Sequence, residues 1–316
     1  MKLCFVFPGQ GSQYVGMGKE IFENFNAARE IFGEGSEALG YDVARLCFEG
    51  PAEELNKTFR TQPCILTVSS AIQKVISSKG ITPLVVAGHS LGEYSALVAA
   101  EVISFGDAVK LTEKRGQFMQ EAVPEGAGLM AALLGIERDK VDEICLSLQS
   151  GYVSPANYNG PGQVVIAGER SAVEEAMRLA KEAGAKRAIP LAVSVPSHCA
   201  LMADASTRLG ELLKGIQFKD PVVPVVNNAG ATFLSTVETI KASLVRQLSS
   251  PLLWEDSIRV IANSGITTFV EIGPGKVLSG LIKRIEPDAK TFNVEDMKSL
   301  ESTIYSCLQH PNRTGQ

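Results

Sequence analysis

The sequence predicts an α/β protein in which both ends of the chain build a parallel sheet and a smaller α/β unit is inserted between them. Two observations carry this. Short apolar runs at Leu3–Phe7 and at residues 84–87 stop at Pro and Gly, as buried strands feeding tight loops do, and Thr268–Ile272 resumes a buried strand that also ends at Gly. Residues 126–191 have a different rhythm, strand, helix, strand, strand, helix, strand, which is the order of a ferredoxin-like unit. The outer domain is therefore expected over residues 1–125 and 192–316, and the inserted subdomain over residues 126–191.

The elements follow in chain order. Residues 19–32 have helical character. Gln62-Pro63 opens a further helix with Pro in its first turn, an apolar stripe of Ile65, Val68, Ile72, Val75 and Ile76, and Gly80 at its end. Ser104 and Asp107 have the spacing of a cap for a helix through Ala122. In the middle unit, residues 129–134, 152–156, 164–167 and 187–191 are strand-like, while 139–148 and 172–183 are helix-like. Residues 222–226 resume the buried strands of the outer sheet.

At 316 residues with 45% hydrophobic and 21% charged, the chain has ordinary globular composition. Thirty basic against 35 acidic residues, with no long Lys/Arg run, give a nucleic-acid partner little support. The run before Pro8 is too short for a signal-peptide core, and no stretch approaches the roughly 18 apolar residues of a membrane span. Six scattered cysteines without a CxxC pair read as reduced thiols, so a cytoplasmic location is expected.

Gly88-His89-Ser90-Leu91-Gly92 has the form GxSxG. That pattern arises by chance in roughly one chain in ten of this length, so the pentapeptide alone is weak. Its setting between an apolar run and a helix is specific, because a strand–turn–helix is what a nucleophile elbow requires. Ser90 then needs a base. Of the three histidines, His89 adjoins the nucleophile and should point away, and His310 lies in a polar tail. His198 remains. No acid is obviously placed to complete a triad, and Asp204 and Asp256 stay open. The Leu91 amide is one donor for an oxyanion, and the loop from Pro8 to Gln13 can supply another. Tyr14 stands where GxGxxG needs its last glycine, and Gly273-Pro274-Gly275-Lys276 lacks P-loop spacing, so both nucleotide readings fail. No cofactor is expected, and no metal-ligand cluster is visible. Arg115 has Leu111, Thr112, Phe118 and Met119 around it on its helix face, so it either snorkels or meets an anion.

With these motifs in hand, the chain resembles malonyl-CoA:acyl carrier protein transacylases nearly end to end. The resemblance rests on Phe7-Pro8-Gly9-Gln10-Gly11-Ser12-Gln13, Gly88-His89-Ser90-Leu91-Gly92-Glu93-Tyr94, the run from Asn157 to Gly168, Pro196-Ser197-His198, Gln247-Leu248-Ser249-Ser250-Pro251 and Glu271-Ile272-Gly273-Pro274-Gly275. It implies a hydrolase-like α/β domain with a ferredoxin-like insertion and a Ser90–His198 dyad. The histidine would be oriented by the Gln247 main-chain carbonyl, the oxyanion hole formed by the Gln10 and Leu91 amides, and the malonyl carboxylate held by Arg115. Asn157 and Asn159 would face the cleft. Malonyl-CoA is then a substrate, and the acceptor is the phosphopantetheine thiol of acyl carrier protein in fatty acid biosynthesis.

The rivals are a serine thioesterase or other hydrolase, a trans-acting acyltransferase serving polyketide synthesis, and a non-catalytic docking subunit. Arg115 argues against the hydrolase, which has no free carboxylate to read. The joint presence of Ser90, His198 and the glycine loop argues against a scaffold. Chain length and the lack of linkers are those expected of a discrete enzyme. The basic pairs Lys186-Arg187 and Lys283-Arg284 are candidates to meet an acidic carrier.

Overall fold

A computed structural model describes residues 2–191 and 195–308. The strands are β1 (Leu3–Phe7), β2 (Val85–Gly88), β3 (Gly128–Leu134), β4 (Val153–Gly160), β5 (Gln163–Glu169), β6 (Arg187–Pro190), β7 (Val225–Val226), β8 (Phe233–Leu234), β9 (Thr268–Ile272) and β10 (Lys290–Val294). They form a six-stranded sheet in the order β10-β9-β1-β2-β7-β8 and a four-stranded sheet in the order β4-β5-β3-β6. The first sheet is parallel except for the β7–β8 hairpin. The second is antiparallel throughout.

β1, β2 and β9 are buried along their whole length, as strands covered by helices on both faces must be. One face packs on the helices Asn26–Leu39, Thr58–Ser78 and Phe105–Ala122, and the other on Trp254–Asn263 and Val277–Ile285. The four-stranded sheet covers a separate core with Arg138–Ser147 and Arg170–Glu182. It is tied to the outer unit through β4, where Leu252 N–H donates to Ala156 O and Tyr158 N–H to Leu252 O, each at 2.8 Å.

Several expected elements move. The helix expected from Gln62-Pro63 begins earlier and spans Thr58–Ser78, with Pro63 inside it. Lys57 O accepts from the Arg60 and Thr61 amides, so the first turn is already closed before the proline. Gly116 lets the neighbouring helix approach this turn, because a Cβ there would lie 2.5 Å from Phe59 Cα. Residues 19–32 break at Phe25, whose extended backbone separates Lys19–Asn24 from Asn26–Leu39. The strand expected over 152–156 continues to Gly160, with register shifts that the sequence pattern hides. That over 222–226 shrinks to Val225–Val226, since Pro221 and Pro224 have no N–H to donate to a ladder.

Candidate active site

β1 and β2 are parallel neighbours with Phe7 opposite Gly88, so the two loops that leave them emerge side by side. His89 N–H donates to Phe7 O at 2.9 Å and locks the pair together. The turn is too crowded for side chains at its glycines. A Cβ on Gly88 would lie 1.8 Å from Gly92 C, and one on Gly92 would lie 2.0 Å from Phe7 O. Ser90 itself is held at φ 54°, a left-handed conformation that a non-glycine residue adopts only under constraint. The helix Gly92–Ala99 starts directly behind it.

The constraint comes from Asn228. Its Oδ1 accepts from Ser90 N–H, and its Nδ2 donates to Gly88 O, both at 2.7 Å. Nothing in the local sequence around Asn228 marks it for this task, and the reading by motif passed over it.

His198 is buried, also in a left-handed conformation at φ 61°, and its N–H is bound to Leu248 O. Its Nε2 lies 2.8 Å from Ser90 Oγ and its Nδ1 2.7 Å from Gln247 O. A carbonyl only accepts, so Nδ1 carries the proton and Nε2 is free to take one from the serine. Burial, reinforced by the Arg115 charge, pushes the imidazole down to about 3, which keeps it neutral. Asp204 and Asp256 complete no triad; they pair with Arg208 and Arg138 instead. His89 turns away from Ser90, with Nε2 2.8 Å from Asn159 Oδ1 and its ring edge-on to Trp254. His310 lies outside the described residues.

Arg115 is 1% exposed, which rules out snorkelling. Nη1 donates to Gln62 Oε1 at 2.8 Å, and Nη2 donates to Gln247 Oε1 at 2.9 Å and to Ser90 Oγ at 3.2 Å. Among the described residues its Nε has no partner, and no carboxylate forms an ion pair with it. A buried guanidinium whose direct hydrogen-bond partners are all neutral can receive an anion that arrives from outside. The other Gln247 end, Nε2, donates to Glu93 Oε2 at 2.8 Å and to Ser90 O at 3.1 Å. Gln62 and Glu93, like Asn228, escaped the sequence reading because their neighbours here are distant in the chain.

The Gln10 side chain donates to Thr58 Oγ1 at 3.1 Å, which fixes the loop after β1. Among the described residues, neither the Gln10 nor the Leu91 backbone N–H donates to a protein acceptor. Asn157 and Asn159 are both buried on β4; Asn159 meets His89, and Asn157 Oδ1 has no partner among the described residues. No group of His, Cys, Asp or Glu suited to a metal occurs among the described residues.

An acyl transferase domain model matches residues 4–302. The chain is 53% identical over 286 residues to the malonyl CoA-acyl carrier protein transacylase of Escherichia coli, covering 90% of this chain and 93% of that one. It is 49% identical over 304 residues to the protein of the same name from Haemophilus influenzae, covering 95% and 97%. Among solved structures, an acyl carrier protein S-malonyltransferase from Vibrio cholerae superposes with a TM-score of 0.94 at 49% identity, covering 96% of this chain and all of that one. A malonyl transacylase in complex with its holo type II polyketide acyl carrier protein superposes with a TM-score of 0.95 at 49% identity, covering 97% and 100%.

Proposed function

The chain belongs to the acyl transferase family, among its malonyl CoA-acyl carrier protein transacylases, and on that premise we propose how its own residues move a malonyl group. One observation carries the reading. Ser90 Oγ stands between a neutral imidazole at 2.8 Å and a buried guanidinium at 3.2 Å, so nucleophile, base and anion receptor meet at one atom.

In the first half-reaction, Ser90 Oγ attacks the malonyl thioester carbon while its proton passes to His198 Nε2. The Gln247 carbonyl receives Nδ1–H and favours the imidazolium that forms. The Gln10 and Leu91 amides stabilise the oxyanion, and Arg115 holds the malonyl carboxylate through paired hydrogen bonds. The C–S bond then breaks, and His198 returns its proton to the departing coenzyme A sulfur. In the second half, the phosphopantetheine thiol of acyl carrier protein gives its proton to His198 and attacks the ester. The tetrahedral adduct collapses, and His198 protonates Ser90 Oγ as it leaves.

The malonyl carrier product serves fatty acid biosynthesis in this reading. A polyketide carrier is the second acceptor to try, because the superposing complex holds one. The six free cysteines support a reducing, cytoplasmic setting. No helix among the described residues is long and apolar enough to cross a membrane.

Intact mass after brief mixing with malonyl-CoA tests the proposal. One retained malonyl group that is discharged by holo acyl carrier protein is expected. Free malonate without carrier would indicate a hydrolase, and no adduct or turnover a scaffold.

A further inference from the structure

Glu93 stands behind Arg115 with the Gln247 side chain between them. Gln247 Nε2 donates to Glu93 Oε2 at 2.8 Å, and Gln247 Oε1 accepts from Arg115 Nη2 at 2.9 Å. A primary amide has a donor end and an acceptor end, so Glu93 decides which end faces the guanidinium. Turned round, the amide would set N–H against N–H. The Asn228 backbone N–H also donates to Glu93 Oε2, at 3.0 Å, while Oε1 is buried with no partner among the described residues. Glu93 and Arg115 are 0% and 1% exposed, so at this site a buried carboxyl and a buried guanidinium are joined through a neutral amide.

A malonyl carboxylate at Arg115 adds a second buried anion to this set. We propose that Glu93 is a positioning residue and the resident counter-charge of Arg115, and that it takes up a proton from solvent when the malonyl carboxylate pairs with Arg115. The proton goes to Oε1, which leaves both hydrogen bonds at Oε2 in place. The proposal rests on the reading that Arg115 receives that carboxylate.

The surroundings place Glu93 in range. Burial pushes its carboxyl up to about 7, opposed by the Asn228 and Gln247 hydrogen bonds and by the charges of Arg115, on Phe105–Ala122, and Arg246, on Val237–Ser249. The other titratable neighbours are Tyr94, which burial pushes up to about 12, and His198, across Gln247 and held neutral. Neither changes charge near neutrality.

The measurement is the ratio of kcat/KM for malonyl-CoA to that for acetyl-CoA, from about pH 6 to about pH 9, bracketing Glu93. The ratio cancels ionisation of His198 and of the coenzyme A phosphates, which both substrates share. Wild type should lose about tenfold in the ratio as pH rises, the linkage expected for a pKa that binding raises by about one unit. Glu93→Gln should be flat, since its carbonyl can keep both bonds without the charge. A flat wild-type profile, or an equal fall in folded Glu93→Gln, overturns the proposal. Arg115→Ala separates the two readings. If it leaves the ratio unchanged, the carboxylate assignment falls and takes this proposal with it. If it lowers the ratio while the wild-type profile is flat, only the role of Glu93 falls.

Discussion

Asn228 grips Ser90 from behind, accepting its N–H at 2.7 Å while the other end of the same amide holds Gly88 O. Asn228→Ala leaves both backbone groups buried and unpaired, at a cost of about 1–3 kcal/mol each. It also frees the elbow to shift, and a displacement of about 1 Å at a reacting group lowers the rate by about 10²-fold. Urea unfolding and single-turnover acylation should show both losses together. Wild-type acylation in a destabilised variant would mean that the clamp serves the fold alone.

Ser90→Ala should remove the malonyl adduct, and peptide mapping of wild type should place that adduct on the peptide containing Ser90. The strained backbone adds a second expectation. At φ 54°, Ser90→Gly should be more stable than Ser90→Ala by roughly 1 kcal/mol, because glycine carries no Cβ into the left-handed region. Thermal melts of the two inactive variants test this.

His198→Ala should slow acylation and carrier loading by about 10² to 10⁴-fold. The acid limb of acetyl-CoA acylation should lie well below the ordinary imidazole value, since His198 is pushed down to about 3. Stability carries the same sign. The folded imidazole stays neutral while the unfolded one takes a proton below about 6.5, so wild type loses stability relative to His198→Ala as pH falls from there toward 3. A wild-type acid limb near 6.5 would place the base elsewhere.

Arg115→Ala should lower kcat/KM for malonyl-CoA by about 30- to several thousand-fold, the kinetic equivalent of about 2–5 kcal/mol for a desolvated charge left unpaired. Slow acetyl transfer should persist. Arg115→Lys should recover only part of the malonyl activity, because an ammonium lacks the planar fork. Equal losses on both substrates in a folded protein would make Arg115 structural.

The parts of this site legible in the sequence are those whose chemistry is local. Gly88 to Gly92 announces an elbow because crowding in one turn demands glycines at fixed offsets. His198 emerged only because the chain has so few histidines. Arg115 showed as a charge in an apolar stripe, though choosing between snorkelling and anion binding required its burial. Asn228, Glu93 and Gln62 left no such trace, because each acts on residues far along the chain. Gln247 entered only by family resemblance, since a main-chain carbonyl has no sequence signature. In the fold, β1 was legible as an uninterrupted apolar run, and β9 as Phe269, Val270 and Ile272 stopping at Gly273. β10 was not, because Lys290 to Asn293 remain partly exposed and their pattern is mixed. The start of Thr58–Ser78 was misplaced because Pro63 looks like a first-turn proline when the earlier contacts with Gly116 are unseen.

β1 lies between β2 and β9, with Cys4 beside Val85 on one edge and Phe269 on the other. On the ribosome, the strand Leu3–Phe7 is therefore made long before its second neighbour exists. Through most of synthesis it offers one edge of unpaired backbone groups on a strand with wholly apolar side chains, a segment a chaperone would protect. The order of manufacture also guards the chemistry. The serine is translated before its histidine, and the histidine before the carbonyl that orients it, so a nascent chain carries no complete dyad until Gln247 has been made.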